Sequence, residues 1–124
     1  MINLKIRIKE NRMRYRIDDA IVDIQKRRVQ IGRNKSQLSD LSLQCLLIFI
    51  EQPNQLVLKE TLLQRCWQSM VVSDEVLKQR IYLINQCFLP LRYRVIKNIR
   101  GKGYILSGRV RKSYGIELLW KYFR

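Results

Sequence analysis

Histidine is absent from this chain of 124 residues. That removes the side chain most often used for proton transfer near neutral pH, and the commonest metal ligand as well. Three cysteines remain, Cys45, Cys66 and Cys87, with no C-x-x-C pair among them, so a zinc site lacks ligands at usable spacing. They read as buried free thiols, with a redox switch as the other reading. No paired carboxylates stand at catalytic spacing, and no phosphate-cradling glycine loop opens a helix. The sequence thus gives no ground for expecting an enzyme, a metal, a cofactor or a small-molecule substrate.

Long apolar runs are missing too. The longest, Leu46 to Ile50, falls far short of the roughly 18 residues that a membrane helix needs. The opening MINLKIRIKE alternates and lacks the apolar core of a signal peptide, so a cytoplasmic location is expected. With two prolines, five glycines and no low-complexity linker, the chain reads as one domain; 47% hydrophobic residues suffice for a modest core.

Acidic residues are scarce, ten against 25 basic ones, for a formal charge of +15. The imbalance is local. Residues 1–35 hold 11 basic and 4 acidic side chains, residues 36–90 hold 4 and 5, and residues 91–124 hold 10 and 1. A neutral middle between two cationic flanks fits a polyanion, because neutralising phosphates releases counterions. Anionic lipid is the other candidate, but no amphipathic helix with a long basic face is evident.

Along the chain, Leu4, Ile6 and Ile8 alternate with Lys5, Arg7 and Lys9 in the period of a half-buried strand. Short strands are predicted near Tyr15–Ile17, Ala20–Ile24, Arg28–Ile31 and Lys35–Leu38, separated by turn-prone Asp18-Asp19, Gln25-Lys26 and Gly32-Arg33-Asn34. Ser39 is a candidate N-cap for a first helix whose core face is Leu43, Leu46, Leu47 and Ile50, ended by Pro53-Asn54. Gln55–Leu58 suits a short strand, and a second helix spans about Lys59 to Trp67 with Leu62, Leu63 and Cys66 inward. Ser73 caps a third helix, with Asp74 and Glu75 at its positive end, and Pro90 is expected to close it.

In that third helix Leu77, Ile81, Ile84 and Phe88 follow the spacing of a buried stripe, while Glu75, Gln79, Tyr82 and Gln86 lie opposite, flanked by Lys78 and Asn85. Arg100-Gly101-Lys102-Gly103 then sits between the β-prone runs Val95–Ile99 and Tyr104–Leu106. A helix able to enter a groove, followed by a cationic hairpin, is equipment for reading DNA.

These residues resemble the winged helix-turn-helix DNA-binding domain of the OmpR/PhoB class, particularly its ToxR-like one-component members. Ile96-Lys97-Asn98-Ile99-Arg100-Gly101-Lys102-Gly103-Tyr104 matches the family's I-x-T-I/V-R-G-x-G-Y wing signature apart from Asn98. Leu38-Ser39, Leu62-Leu63, Cys66-Trp67 and the strand-like stretch from Tyr15 extend the likeness over about residues 13–107. The resemblance implies an α+β fold: an N-terminal antiparallel sheet, three helices and a C-terminal β-hairpin wing. Residues 1–12 then read as an added strand or arm, and residues 108–124 as a basic and aromatic tail, flexible over Gly108–Gly115.

Gln79 is the first choice for base readout, since glutamine can bond adenine N6 and N7 together. By resemblance Lys78 and Tyr82 flank it on the DNA-facing side, and Arg80 aligns with a phosphate contact. Asn85 and Gln86 lie further along, toward the backbone. At the hairpin tip Arg100 suits a narrow minor groove, while Lys97 and Lys102 would meet phosphates. Few cations on the reading helix suggest A·T-rich sites. Tyr104 and Trp67 read as packing residues.

The expected function is a bacterial, sequence-specific transcriptional regulator, with its third helix in the major groove of double-stranded promoter DNA and its wing in the minor groove. By resemblance it would bind tandem half-sites as a homodimer formed on DNA, and its Gln68–Val72 loop would meet RNA polymerase. The alternative is a winged helix used as a protein-interaction adaptor toward an acidic partner.

Overall fold

The computed structural model describes residues 13–68 and 71–114. The expected N-terminal arm (residues 1–12), the aromatic end of the chain (residues 116–124) and residues 69–70 of the loop before the third helix lie outside the described residues.

Strands β1 (Met13–Ile17), β2 (Ala20–Asp23), β3 (Arg28–Ile31) and β4 (Asn34–Gln37) form an antiparallel meander. Its register places Tyr15 opposite Val22, and Val22 opposite Val29, so one face collects the apolar residues. Ile17, Ala20, Val22 and Val29 are buried there. On the other face lies the row Arg14, Asp23 and Arg28. Asp23 is buried yet satisfied: it accepts the Lys26 N–H at 2.9 Å and pairs with Arg14 Nε at 3.3 Å.

A fifth strand completes this sheet. Val110–Tyr114 (β8) pairs antiparallel with β1, giving the order β4-β3-β2-β1-β8. The sequence reads Gly108–Gly115 as a basic, flexible stretch, and the structure corrects this for Val110–Tyr114. The free edge of β1 supplies the unpaired backbone groups that hold it. Its entry is fixed by the reciprocal bonds of Asp18 N–H to the Arg109 carbonyl (2.9 Å) and Arg109 N–H to Asp18 Oδ1 (3.1 Å).

Helix α1 (Asp40–Glu51) starts where Ser39 Oγ accepts the Ser42 N–H at 3.1 Å, as the sequence predicts. Cys45, Leu46 and Phe49 are fully buried, with Ile48 and Ile50 almost so. Strand β5 (Leu56–Leu58) leads directly into α2 (Lys59–Trp67), which has no side-chain cap because Leu58 occupies that position. Helix α3 (Asp74–Gln86) is capped by Ser73 and buries Leu77, Ile81 and Ile84. It ends earlier than Pro90 would suggest. Cys87 caps it, and Pro90 instead lies inside a short 3-10 turn, Leu89–Leu91, as fits a residue that lacks an N–H and disfavours helix in its predecessor.

The wing is the hairpin of β6 (Ile96–Ile99) and β7 (Gly103–Leu106), with β5 on its other edge in the order β5-β7-β6. Gly103 allows the tight β5–β7 approach: a Cβ there would lie 2.1 Å from the Val57 carbonyl oxygen. Gly101 turns the tip at a φ of +76. One continuous core joins the two sheets and three helices, from Ile17 and Val22 through Phe49 and Leu62 to Phe88 and Leu106. Each large aliphatic or aromatic side chain fully buried in it contributes about 1.5–3 kcal/mol.

Candidate nucleic-acid interface

The apolar stripe of α3 fixes which side chains face outward. With Leu77, Ile81 and Ile84 in the core and Phe88 buried beyond the helix end, Lys78, Gln79 and Tyr82 are exposed, Tyr82 to 56%. Gln79 carries no hydrogen bond among the described residues, so its amide is available to a base edge.

Three other α3 candidates, Lys78, Arg80 and Asn85, are already engaged. Lys78 pairs with Glu75 at 3.5 Å on the helix surface. Arg80 turns inward, its guanidinium Nη1 donating to Ser39 Oγ at 3.2 Å and Ser42 Oγ at 3.0 Å at the start of α1. Asn85 bridges helix to wing: its Nδ2 donates to the Ile96 carbonyl and its Oδ1 accepts the Ile96 N–H, both at 3.0 Å. That pair of bonds sets the position of β6 against α3. Gln86 is half-buried at the helix end.

Lys97, Arg100 and Lys102 are exposed on the wing. The tip is braced at its base, where the Lys59 N–H at the start of α2 donates to the Lys102 carbonyl at 3.2 Å and the Lys102 N–H to the Ile99 carbonyl at 2.9 Å. Lys59 is held above the usual lysine range by the Asp74 carboxylate 2.9 Å away, so α2, α3 and the wing tip are tied at one corner.

Between α3 and the wing runs an open groove of about 560 Å³. Lys78, Tyr82, Asn85 and Gln86 line one wall, and Ile96, Asn98 and Tyr104 another. Its floor and rim include Arg92, Tyr93 and Arg94, which the sequence reading passed over. The signal was present: Leu91-Arg92-Tyr93-Arg94 opens the most basic third of the chain. Three cations and no carboxylate line this groove, so its field favours an anion.

Two features hold the basic turn in place. Arg92 closes the 3-10 turn in the left-handed region at a φ of 66. The Tyr93 hydroxyl donates to the Asp18 carboxylate, joining the turn to the β1–β2 connection. That hydroxyl, with the Arg109 N–H, holds Asp18 below the usual carboxylate range. Burial and the same carboxylate push Tyr93 up to about 12. Tyr104 is buried under the wing, and burial raises its hydroxyl as well. Trp67 is likewise in the core.

Three helices beneath a basic hairpin, with an antiparallel sheet closing the core, define a winged helix-turn-helix DNA-binding domain. The family described as "Transcriptional regulatory protein, C terminal" matches residues 33–106, and the chain belongs to this OmpR/PhoB-type family of DNA-binding transcription regulators. Among solved structures it is similar to the DNA-binding domain of CadC from E. coli, with a TM-score of 0.72, 16% identity, and 79% of this chain and 94% of that one covered. It is also similar to the Klebsiella pneumoniae RstA DNA-binding domain, solved in complex with the RstA box, with a TM-score of 0.62, 19% identity and coverage of 76% and 96%. The third is DrrB, an OmpR/PhoB homolog from Thermotoga maritima, with a TM-score of 0.66, 29% identity, 77% of this chain and 44% of the longer one covered. At their identities the first two establish the fold. A search of the curated proteins finds no match in sequence.

Proposed function

We propose that this chain reads double-stranded promoter DNA sequence-specifically, with α3 in the major groove and the wing in the minor groove, as the DNA-binding part of a bacterial ToxR-like one-component regulator acting in the cytoplasm. The observation that carries this reading is the groove in which Lys78 and Tyr82 of α3, the cationic turn Arg92–Arg94 and the wing residues Ile96, Asn98 and Tyr104 meet; Gln79, Lys97, Arg100 and Lys102 are exposed outside its lining. In this arrangement Gln79 is the base reader, with Tyr82 and Lys78 beside it. Arg92, Arg94, Lys97 and Lys102 meet phosphates, and Arg100 enters the minor groove. Arg80 and Asn85 serve through position, Arg80 bracing α3 against α1 and Asn85 setting the wing angle, while Gln86 lines the groove toward the DNA backbone. The solved complex of the related RstA domain with its DNA box supports duplex DNA as the ligand class.

Two partners are part of the proposal. Val71 is fully exposed in the Gln68–Val72 loop, a suitable contact for RNA polymerase. Tandem half-sites would bring two copies together on DNA. Among the described residues no helix is long and apolar enough to cross a membrane.

Filter binding of the selected site and of random duplex at rising salt tests the reading. Affinity for both should fall steeply with salt, while a preference for the selected, A·T-rich site persists. Binding indifferent to salt and sequence would point instead to an adaptor with a protein partner.

A further inference from the structure

Beneath the interface, two thiols that DNA binding does not use lie in contact. Cys45 of α1 and Cys66 of α2, 21 residues apart in sequence, have their sulfurs 2.7 Å apart. Cys45 is fully buried, whereas Cys66 keeps 8% of its surface exposed. Of the two, Cys66 is the less enclosed, and Cys45 stands in contact behind it.

We propose that Cys45 and Cys66 are a redox modification site, closing to an intramolecular disulfide on exposure to a peroxide and stapling α1 to α2. The sulfurs need to approach by less than about 1 Å to reach bonding distance near 2.05 Å. The two thiols also differ in character. The hydrogen bond from Cys45, helped by the Arg65 and Arg80 guanidinium groups, holds Cys66 below the ordinary thiol range despite its burial. The same bond and burial push Cys45 up. Cys66 is therefore the attacking thiolate and Cys45 the resolving thiol.

The chemistry balances with the peroxide as oxidant. The Cys66 thiolate attacks one peroxide oxygen, the O–O bond breaks, and the departing hydroxide or alkoxide takes up a proton to leave as water or alcohol. Cys66 is left as a sulfenic acid. The Cys45 sulfur then attacks the Cys66 sulfur; the S–O bond breaks, and the departing hydroxide takes the Cys45 proton to leave as water. One peroxide is reduced by two electrons and two thiols are oxidised by two. A thiol reductant reverses the bond.

Cys87 provides an internal control. It sits at the α3 C-cap, its sulfur directed to the Leu83 carbonyl at 3.6 Å and the Gln37 carbonyl at 3.9 Å, and burial pushes its thiol up.

The folded chain is treated with hydrogen peroxide, then thiols are counted and linked peptides mapped by mass spectrometry. The count should fall from three to one, with Cys45 joined to Cys66, and should recover with dithiothreitol. In Cys87→Ala the count should fall from two to none. In Cys45→Ala, Cys66 should instead be trapped by a sulfenic-acid reagent. Tying a loop of this size should raise the melting temperature of the oxidised chain by about 10 °C. Retention of all thiols until the chain unfolds, links only through Cys87, or oxidation of Cys66 to a sulfinic acid in the unsubstituted chain would each overturn the proposal.

Discussion

Helix α3 and the segment that follows it are made of opposite materials. Asp74–Gln86 carries Lys78 and Arg80 against Asp74 and Glu75, whereas Leu89–Leu106 carries five cations and no carboxylate. Even the two helix cations are partly committed, Lys78 to Glu75 and Arg80 to the serines of α1. The difference separates two tasks that many DNA readers place on one helix. In the proposed reading α3 presents a nearly neutral amide-and-phenol surface to the bases, and the turn and wing supply the grip on phosphate. Asn85 is the joint between them, because its two bonds to Ile96 fix the position of the wing strand against α3.

The bluntest way to break this division is to remove the wing. Gly103→Ala places a methyl group 2.1 Å from the Val57 carbonyl oxygen, with backbone on both sides of the clash. The substitution should cost about 3 kcal/mol or more, lowering the thermal midpoint by more than about 10 °C in calorimetry. DNA affinity should fall with it.

Next in size is the loss of grip without loss of fold. Replacing Arg92, Arg94 and Arg100 together by alanine should leave the melting temperature within about 3 °C, since these side chains are exposed. It should weaken binding to specific and random duplex alike. Asn85→Ala tests the joint: it leaves the Ile96 backbone groups partly unsatisfied, at about 1–2 kcal/mol of stability by chemical denaturation. Gln79→Ala should change which base pair is preferred, at about 1–3 kcal/mol of discrimination at one position, with no loss of stability. Selection returning the same site preferences for Gln79→Ala as for the unsubstituted chain would remove Gln79 as the reader.

The smallest effect concerns the anchor of the basic turn. Asp18 is depressed in the folded chain, so its contribution is complete above about pH 4 and is lost as pH falls through its native value. Tyr93 is raised to about 12, so its contribution holds below about pH 10 and is lost between there and about pH 12. Because Tyr93 is 39% exposed, each contribution should stay below about 1 kcal/mol. Tyr93→Phe should flatten the stability profile at both ends in denaturation series.

Local regularities of this architecture were readable in the sequence. The stripe Leu77, Ile81, Ile84 and Phe88 follows helical period, and all four are buried. Ser39 and Ser73 cap the helices whose first turns they precede. What escaped depends on residues far apart. Tyr93 reaches Asp18, 75 positions away, and β8 pairs with β1 from the opposite end of the domain. Neither contact leaves a periodic trace. Likewise, helical spacing places Asn85 on the flank of the polar face and the resemblance makes Arg80 a phosphate contact, but only the packed chain shows Asn85 joined to Ile96 and Arg80 to Ser39 and Ser42.

The division of labour between helix and wing is tested most directly by the slope of log affinity against log salt on random duplex, measured for three proteins. Each phosphate contact adds about 0.9 to that slope. The triple Arg92, Arg94 and Arg100 alanine variant should lose between about 2 and 3 from the slope of the unsubstituted chain, and Gln79→Ala should keep it whole. An unchanged slope in the triple variant, or an equal loss in Gln79→Ala, would contradict the account.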